Sequence, residues 1–402
     1  MKLVASIPKI DRKVLLIIMV SCAIHIPFLI YDFFDLPLPS PGFHGPDLRR
    51  YRARAEAILK RKIFYERVYT PVPPLISYVL LFPYMLGGWY DGTVYEAFFA
   101  FFNVLNALLL YYMVKTLDDQ NLAYKCALFY ALNPISYISA TIRGQDEPVV
   151  TFFLMLPLYF MLKKRRSLSA ALNGIGIAVK GFSLLFIPAF LRSCRSFLER
   201  IKFFLLSTLI PGLIWLPFYL NVGTLSLEPF SRFVFEVSPY AERRTVSYSL
   251  LVNAIVPLPD FVYVIIAIAV MTLVFGYIIF SKGELDTWKT CTITLAVFLL
   301  TYPDLRTTYY LLITPLIARY ALHDRRIFLL ALLFPLTDLW EVAAFIPTAY
   351  HVQIISAWTT IFHGQFFEQL YLYRFGLPLL ALATCLFIIW KGRFHKTGIR
   401  TI

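Results

Sequence analysis

A chain of 402 residues is long enough for two or three soluble domains, yet 59% of its residues are hydrophobic, 17% aromatic and only 15% charged. A soluble domain carries about 25% charged and about 45–50% apolar residues, so this chain cannot cover itself with polar surface and its solvent is lipid. The formal net charge of +14 fits lysines and arginines in cytoplasmic loops beside anionic lipid; disorder, a basic nucleic-acid-binding domain and a disulfide scaffold are excluded.

The first apolar run, Val14 to Tyr31, has no small-residue cleavage site after it and reads as a retained first helix. His25 lies inside it and reads as a packed histidine rather than a ligand. A long loop follows, about 32–92, with a basic stretch from Asp47 to Arg67. Arg50, Arg54 and Arg61 share one helical face there, and Leu48, Tyr51, Ala55, Ile58 and Leu59 share another. That pattern predicts an amphipathic helix lying on the membrane surface. It serves either as a headgroup anchor or as part of a site for a phosphate-bearing lipid.

Further apolar runs fall at about 94–114, 122–141, 148–162, 203–220, 260–280, 287–303, 309–321, 326–346 and 369–390. Two more are irregular. The run 72–86 begins with prolines and is broken by Pro83 and Gly87-Gly88, and 168–191 is interrupted at Lys180-Gly181. A spanning helix needs about 17–25 apolar residues, so each is a half-helix or a hairpin that turns back. With 72–86 held near the outer leaflet and 168–191 returning to its own side, Lys163–Arg166, Arg192–Lys202, Arg325-Arg326 and the tail Lys391–Arg400 all become cytoplasmic.

In that topology the polar groups at helix ends gather on the non-cytoplasmic face. They are Asp47, then Arg143-Gly144-Gln145-Asp146-Glu147, Arg243-Arg244, and Asp304-Leu305-Arg306. Arginines hold phosphate through forked hydrogen bonds, and a carboxylate can act as a base. Mid-helix charges are few: Glu96 near an end, Lys180 at the break, Asp338 and Glu341. A transporter or a lipid flippase or scramblase, the competing reading, calls for more of them and for two similar halves. Asp118-Asp119 reads as a solvated cytoplasmic turn. His351 and His363 have no usual ligand spacing, and the five cysteines show no CxxC pattern.

These residues resemble the GT-C type membrane glycosyltransferases that use a polyprenyl-phosphate sugar, in particular the family of the GPI mannosyltransferase I catalytic subunit and its prokaryotic relatives. Five stretches carry the likeness: Asp47–Tyr51 with Phe64–Pro71; Asn133-Pro134 followed by Arg143–Glu147; Ala178–Gly181 through Pro188; Arg243–Tyr248; and Arg306–Tyr310 ahead of Pro315. The eukaryotic subunit has an Asp-x-Asp pair in the first loop, where this chain reads Gly45-Pro46-Asp47. One acid remains, which weakens any metal reading.

The resemblance implies an all-α GT-C-like bundle of about 11–13 transmembrane or re-entrant helices. The chain 1–402 is then one polytopic membrane domain, with a core module at 14–220 that includes the loop 32–92, and variable C-terminal helices at 221–402. It implies an inverting transfer of a sugar, with mannose favoured, from a polyprenyl or dolichyl phosphate to a lipid or glycan acceptor on the non-cytoplasmic face. Asp47 is the expected base. Arg143, Arg243, Arg244 and Arg306 are expected at the donor phosphate, with Glu147, Lys180 and Tyr309 beside them. Glu147 is expected to orient an arginine or the acceptor. No metal and no cofactor is expected, membrane lipid and the donor are the expected partners, and a small membrane-protein subunit is compatible with the family.

Overall fold

The computed structural model describes residues 11–34, 45–60, 72–221, 252, 256, 258–281, 286–303, 305–336, 338–339 and 365–392. Among these residues every regular element is helical and no strand occurs. Helix α1 (Arg12–Phe33) starts after Asp11, whose carboxylate accepts from the Lys13 N–H and so satisfies a donor that the helix leaves open. Helix α2 (Gly45–Leu59) comes next, then the broken segment 74–88, then α3 (Thr93–Leu117) and α4 (Gln120–Leu132). Helices α5 (Glu147–Leu162), α6 (Arg166–Lys180), α7 (Ile187–Ser193) and α8 (Phe197–Asn221) follow. The second half contributes α9 (Asp260–Phe280), α10 (Thr287–Thr301), α11 (Tyr310–Ala321), α12 (Arg325–Ala331) and α13 (Gln365–Lys391). Four of them, α1, α3, α8 and α9, are long and apolar enough to cross a membrane.

Both irregular runs break where their sequence says they must. The first is a single turn, Pro74–Val79, continued by Leu81–Pro83 and a wider turn over Tyr84–Gly88. In the second, α6 stops at Lys180 because Gly181 adopts a left-handed conformation (φ 77°), which L side chains avoid. A short 3₁₀ segment, Phe182–Phe186, then turns the chain into α7. Arg166, at the start of α6, lies 2.9 Å from Glu199, just past α7. The segment therefore goes out and comes back, as a hairpin must. The expected run 122–141 is also divided. Asn133 is extended (φ −67°, ψ 126°), as a residue before proline must be, and caps the turn Pro134–Tyr137. A π-helical turn over Ile138–Ile142 then delivers Arg143. The run 326–346 yields α12 only to Ala331; 340–364 lie outside the described residues.

The bundle has two chemically distinct ends. At the basic end, the ends of α3, α5, α7, α9, α11 and α13 meet the starts of α1, α4, α6, α8, α10 and α12. Arg319 lies 2.6 Å from Asp118, Arg192 donates to the Ile278 and Ser281 carbonyls, and Lys289 donates to those of Trp390 and Gly392. Lys163–Arg166 and Arg192–Lys202 share that end. The Asp118 side chain is thus an ion-pair partner, which corrects the solvated-turn reading for that residue because an arginine on α11 reaches it, while Asp119 is exposed as expected. His25 packs on the buried side of α1.

The surface-helix expectation for α2 also needs correction. Leu48, Tyr51 and Ala55 are buried in protein, with the Tyr51 ring against Tyr95 and Phe99. Arg54 is buried too, 5.8 Å from the Tyr51 ring centroid, whereas the sequence put it on a polar face. The apolar stripe is real, but α3 and the 143–147 loop supply its partner in place of lipid. Arg52 fastens α2 to the broken segment by donating to the Gly88 and Tyr90 carbonyls.

Candidate active site

The other end of the bundle collects the site, and the loop 143–147 is its centre. The π-helical turn closes through the Arg143 N–H to Ile138 carbonyl bond at 2.8 Å, and Gln145 N–H reaches the Ser139 carbonyl at 2.9 Å. Gly144 between them is left-handed (φ 55°), and a Cβ there would stand 3.3 Å from Leu48. A glycine thus lets α2 seat on the loop. Asn106 of α3 donates to the Pro148 carbonyl at 2.8 Å and fixes the first turn of α5.

Seating α2 brings Asp47 to the loop. Its Oδ2 accepts from Gln145 Nε2 at 2.7 Å, and its Oδ1 accepts from Arg50 at 3.1 Å. Burial alone pushes the Asp47 carboxyl up. The Gln145 hydrogen bond and the charges of Arg306, Arg50 and Lys180 outweigh it, so the net shift is downward. Asp47 is therefore an ionised acceptor at neutral pH, and its carboxylate faces side-chain donors.

Lys180 ends α6, where a cation meets the negative end of the helix dipole. Its Nζ lies 2.6 Å from Asp146 Oδ1 and 3.0 Å from Glu147 Oε1. The Tyr309 ring sits 5.6 Å from the same Nζ, itself packed on Phe182 and Tyr302. Asp146 occupies the N-cap of α5, yet its side chain makes no capping bond. Arg143 Nη1 donates to Thr307 Oγ1 at 3.0 Å and lies 3.0 Å from Asp338 Oδ1. Thr307 Oγ1 in turn donates to Asp338 Oδ1 at 2.7 Å.

Of the residues singled out in the sequence, Asp47, Arg143, Glu147, Lys180, Arg306 and Tyr309 gather at this end; Arg243 and Arg244 lie outside the described residues. Glu147 is held by a lysine rather than an arginine, because the break at Gly181 delivers Lys180 to it. Gln145 and Asp146 stood in the quoted loop without a role. Asp338 was visible only as a charge in an apolar run, which is the signal that could have found it. Among the described residues, no three His, Cys, Asp or Glu side chains converge as a set able to hold a metal ion. Asp47 offers a carboxylate that accepts from Gln145 and Arg50 and feels the charges of Arg306 and Lys180, an arrangement able to take a proton next to a group that becomes more anionic.

A model of glycosyltransferase family 87 matches residues 69–303. The chain is 25% identical over 215 residues to GPI mannosyltransferase 1 of Kluyveromyces lactis, covering 53% of this chain and 50% of that protein. It is 25% identical over 192 residues to dolichyl-phosphooligosaccharide-protein glycotransferase 1 of Archaeoglobus fulgidus, covering 44% of this chain and 30% of that one. The chain thus spans half the length or less of these curated relatives. Its fold is similar to the crystal structure of ArnT from Cupriavidus metallidurans bound to undecaprenyl phosphate. The TM-score is 0.52 at 14% identity, over 94% of this chain and 78% of that one.

Proposed function

We propose, from the premise that this chain belongs to glycosyltransferase family 87, that it moves a sugar from a polyprenyl-phosphate carrier to a hydroxyl of a lipid or glycan acceptor on the non-cytoplasmic face. The chain is an integral, multi-pass membrane glycosyltransferase of the GT-C fold. Mannose is the sugar favoured by the likeness to GPI mannosyltransferase 1. A lipid-phosphate carrier is favoured by the neighbour bound to undecaprenyl phosphate. The sidedness rests on charge: the end opposite Asp47 carries Lys163–Arg166 and Arg192–Lys202, and such clusters stay cytoplasmic.

The reaction is a single displacement with inversion. The acceptor oxygen attacks the anomeric carbon, and its proton goes to Asp47. The bond from that carbon to the phosphate oxygen breaks, and the electron pair leaves with the polyprenyl phosphate. That phosphate gains negative charge, which Arg306 and Arg143 would stabilise. Lys180, fixed by Asp146 and Glu147, adds positive field to the same region. A low-pKa carboxylate accepts the proton late, once the attacking oxygen has become strongly acidic.

The observation that carries this reading is the position of Asp47. Its carboxylate accepts from Gln145 and feels Arg306 and Lys180. The test is incubation of the purified protein with radiolabelled polyprenyl-phosphate mannose and other polyprenyl-phosphate sugars plus a membrane lipid extract. Label should pass into a new product. Transfer from a nucleotide sugar, with none from any lipid-phosphate sugar, would overturn the reading.

A further inference from the structure

We propose that Asp338, through Thr307, positions the Arg143 guanidinium as the clamp for the lipid phosphate. The inference rests on the reading of this end as a lipid-phosphate site. Thr307 and Asp338 lie beyond the stretch 69–303 matched by the family model, and Arg143 lies within it.

The geometry is a closed ring of three polar groups. Arg143 Nη1 donates to Thr307 Oγ1 and pairs with Asp338 Oδ1, both at 3.0 Å, while Thr307 donates to that same Asp338 oxygen at 2.7 Å. The Asp338 side chain is fully buried, Thr307 is buried, and the Arg143 side chain keeps 17% of its surface exposed. A buried carboxylate therefore holds one edge of a guanidinium whose side chain keeps some exposure. Tyr310, stacked on Phe334 with ring centroids 5.3 Å apart, is buried as well.

Such an arrangement suits position better than stability. A buried ion pair is often matched or exceeded in stability by an apolar pair of similar volume. What the pair supplies is a fixed orientation for a long side chain that would otherwise sample many rotamers.

The ring also joins the 143–147 loop to the segment that carries Arg306. Thr307 directly follows Arg306, whose charge acts on Asp47. Holding Arg143 on Thr307 thus ties the arginine of the 143–147 loop to the arginine beside the base.

The experiment measures binding of undecaprenyl phosphate to the full-length protein in detergent, for wild type, Asp338→Asn, Thr307→Val, Arg143→Gln and Arg143→Gln/Asp338→Asn. Asp338→Asn should raise Kd about tenfold, as expected when one charge-assisted contact is lost, and Thr307→Val should raise it less. In the Arg143→Gln background the Asp338→Asn change should have no further effect, because its target is gone. Unchanged Kd in a folded Asp338→Asn protein overturns the proposal. So does an equal loss in both backgrounds. If Asp338→Asn does not fold, Thr307→Val decides: wild-type Kd there overturns the proposal. Failure of the wild-type protein to bind undecaprenyl phosphate instead overturns the reading of the site on which the proposal rests.

Discussion

The two ends of the bundle both hold acids, and they use them differently. At the basic end four carboxylates cap helices, and Asp118 pairs with Arg319 of α11. Asp11 accepts from Lys13 N–H, Asp119 from Asn121 and Leu122, Asp286 from Trp288, and Asp324 from Arg326. Each of these four caps satisfies a backbone donor that the first turn leaves open. At the site end Asp91 likewise accepts from the Thr93 N–H, but four other carboxylates meet side chains from distant elements. Asp47 takes Gln145, Asp146 and Glu147 take Lys180, and Asp338 takes Arg143. Asp146 makes the contrast sharpest, because it occupies an N-cap and does not cap. The site end is set apart by four acids whose long-range partners come together around the 143–147 loop.

The sharpest way to break this contrast is to remove Lys180. Lys180→Met leaves Asp146 and Glu147 buried with no cation, which should cost about 3–5 kcal/mol and abolish transfer. Thermal unfolding in detergent and an activity assay read the two effects. A variant of wild-type stability would mean that the two acids find compensation elsewhere.

At the other end, Arg319→Ala should produce a comparable stability loss, about 3 kcal/mol, by stranding Asp118. Transfer per folded molecule should stay at the wild-type rate. A specific loss of activity without unfolding would blur the division between the ends.

Capping is a smaller effect. Asp119→Ala should lower stability by about 1 kcal/mol, while Asp119→Asn, an equally good cap, should cost almost nothing. Denaturant titration of the two variants distinguishes a capping role from a charge role.

The smallest expected effect is on pH dependence. The Asp47 carboxyl is shifted below its ordinary value of 3.8, so if Asp47 is the proposed base the acid limb of kcat/KM should lie below that value. Arg306→Gln removes one of the charges that lower it and should move the limb upward by less than about one pH unit. A downward shift would mean that Arg306 does not act on the base.

Much of this was legible in the sequence, for definite physical reasons. Long apolar runs must be helical in lipid, so α1, α3, α8 and α9 fall where hydropathy puts them. Lys180-Gly181 had to interrupt its run, and Gly181 does so through a left-handed φ. The apolar face of α2 was visible, but its partner was not, because periodicity cannot tell lipid from protein. The burial of Arg54 follows from the same blindness. The pairing of Arg143 with Asp338 joins residues far apart in the chain, and nothing local to either announces it. The role of Asp118 was missed for that reason too, since its partner Arg319 lies on α11.

The central claim is that Asp47 is the base, and Asp47→Asn tests it most directly. Asn keeps the size of the side chain and can still accept from Gln145, but it cannot take a proton at neutral pH. Transfer from a radiolabelled polyprenyl-phosphate sugar should fall by about 10²–10⁴-fold, with thermal stability unchanged. Wild-type transfer by a folded Asp47→Asn protein would contradict the account.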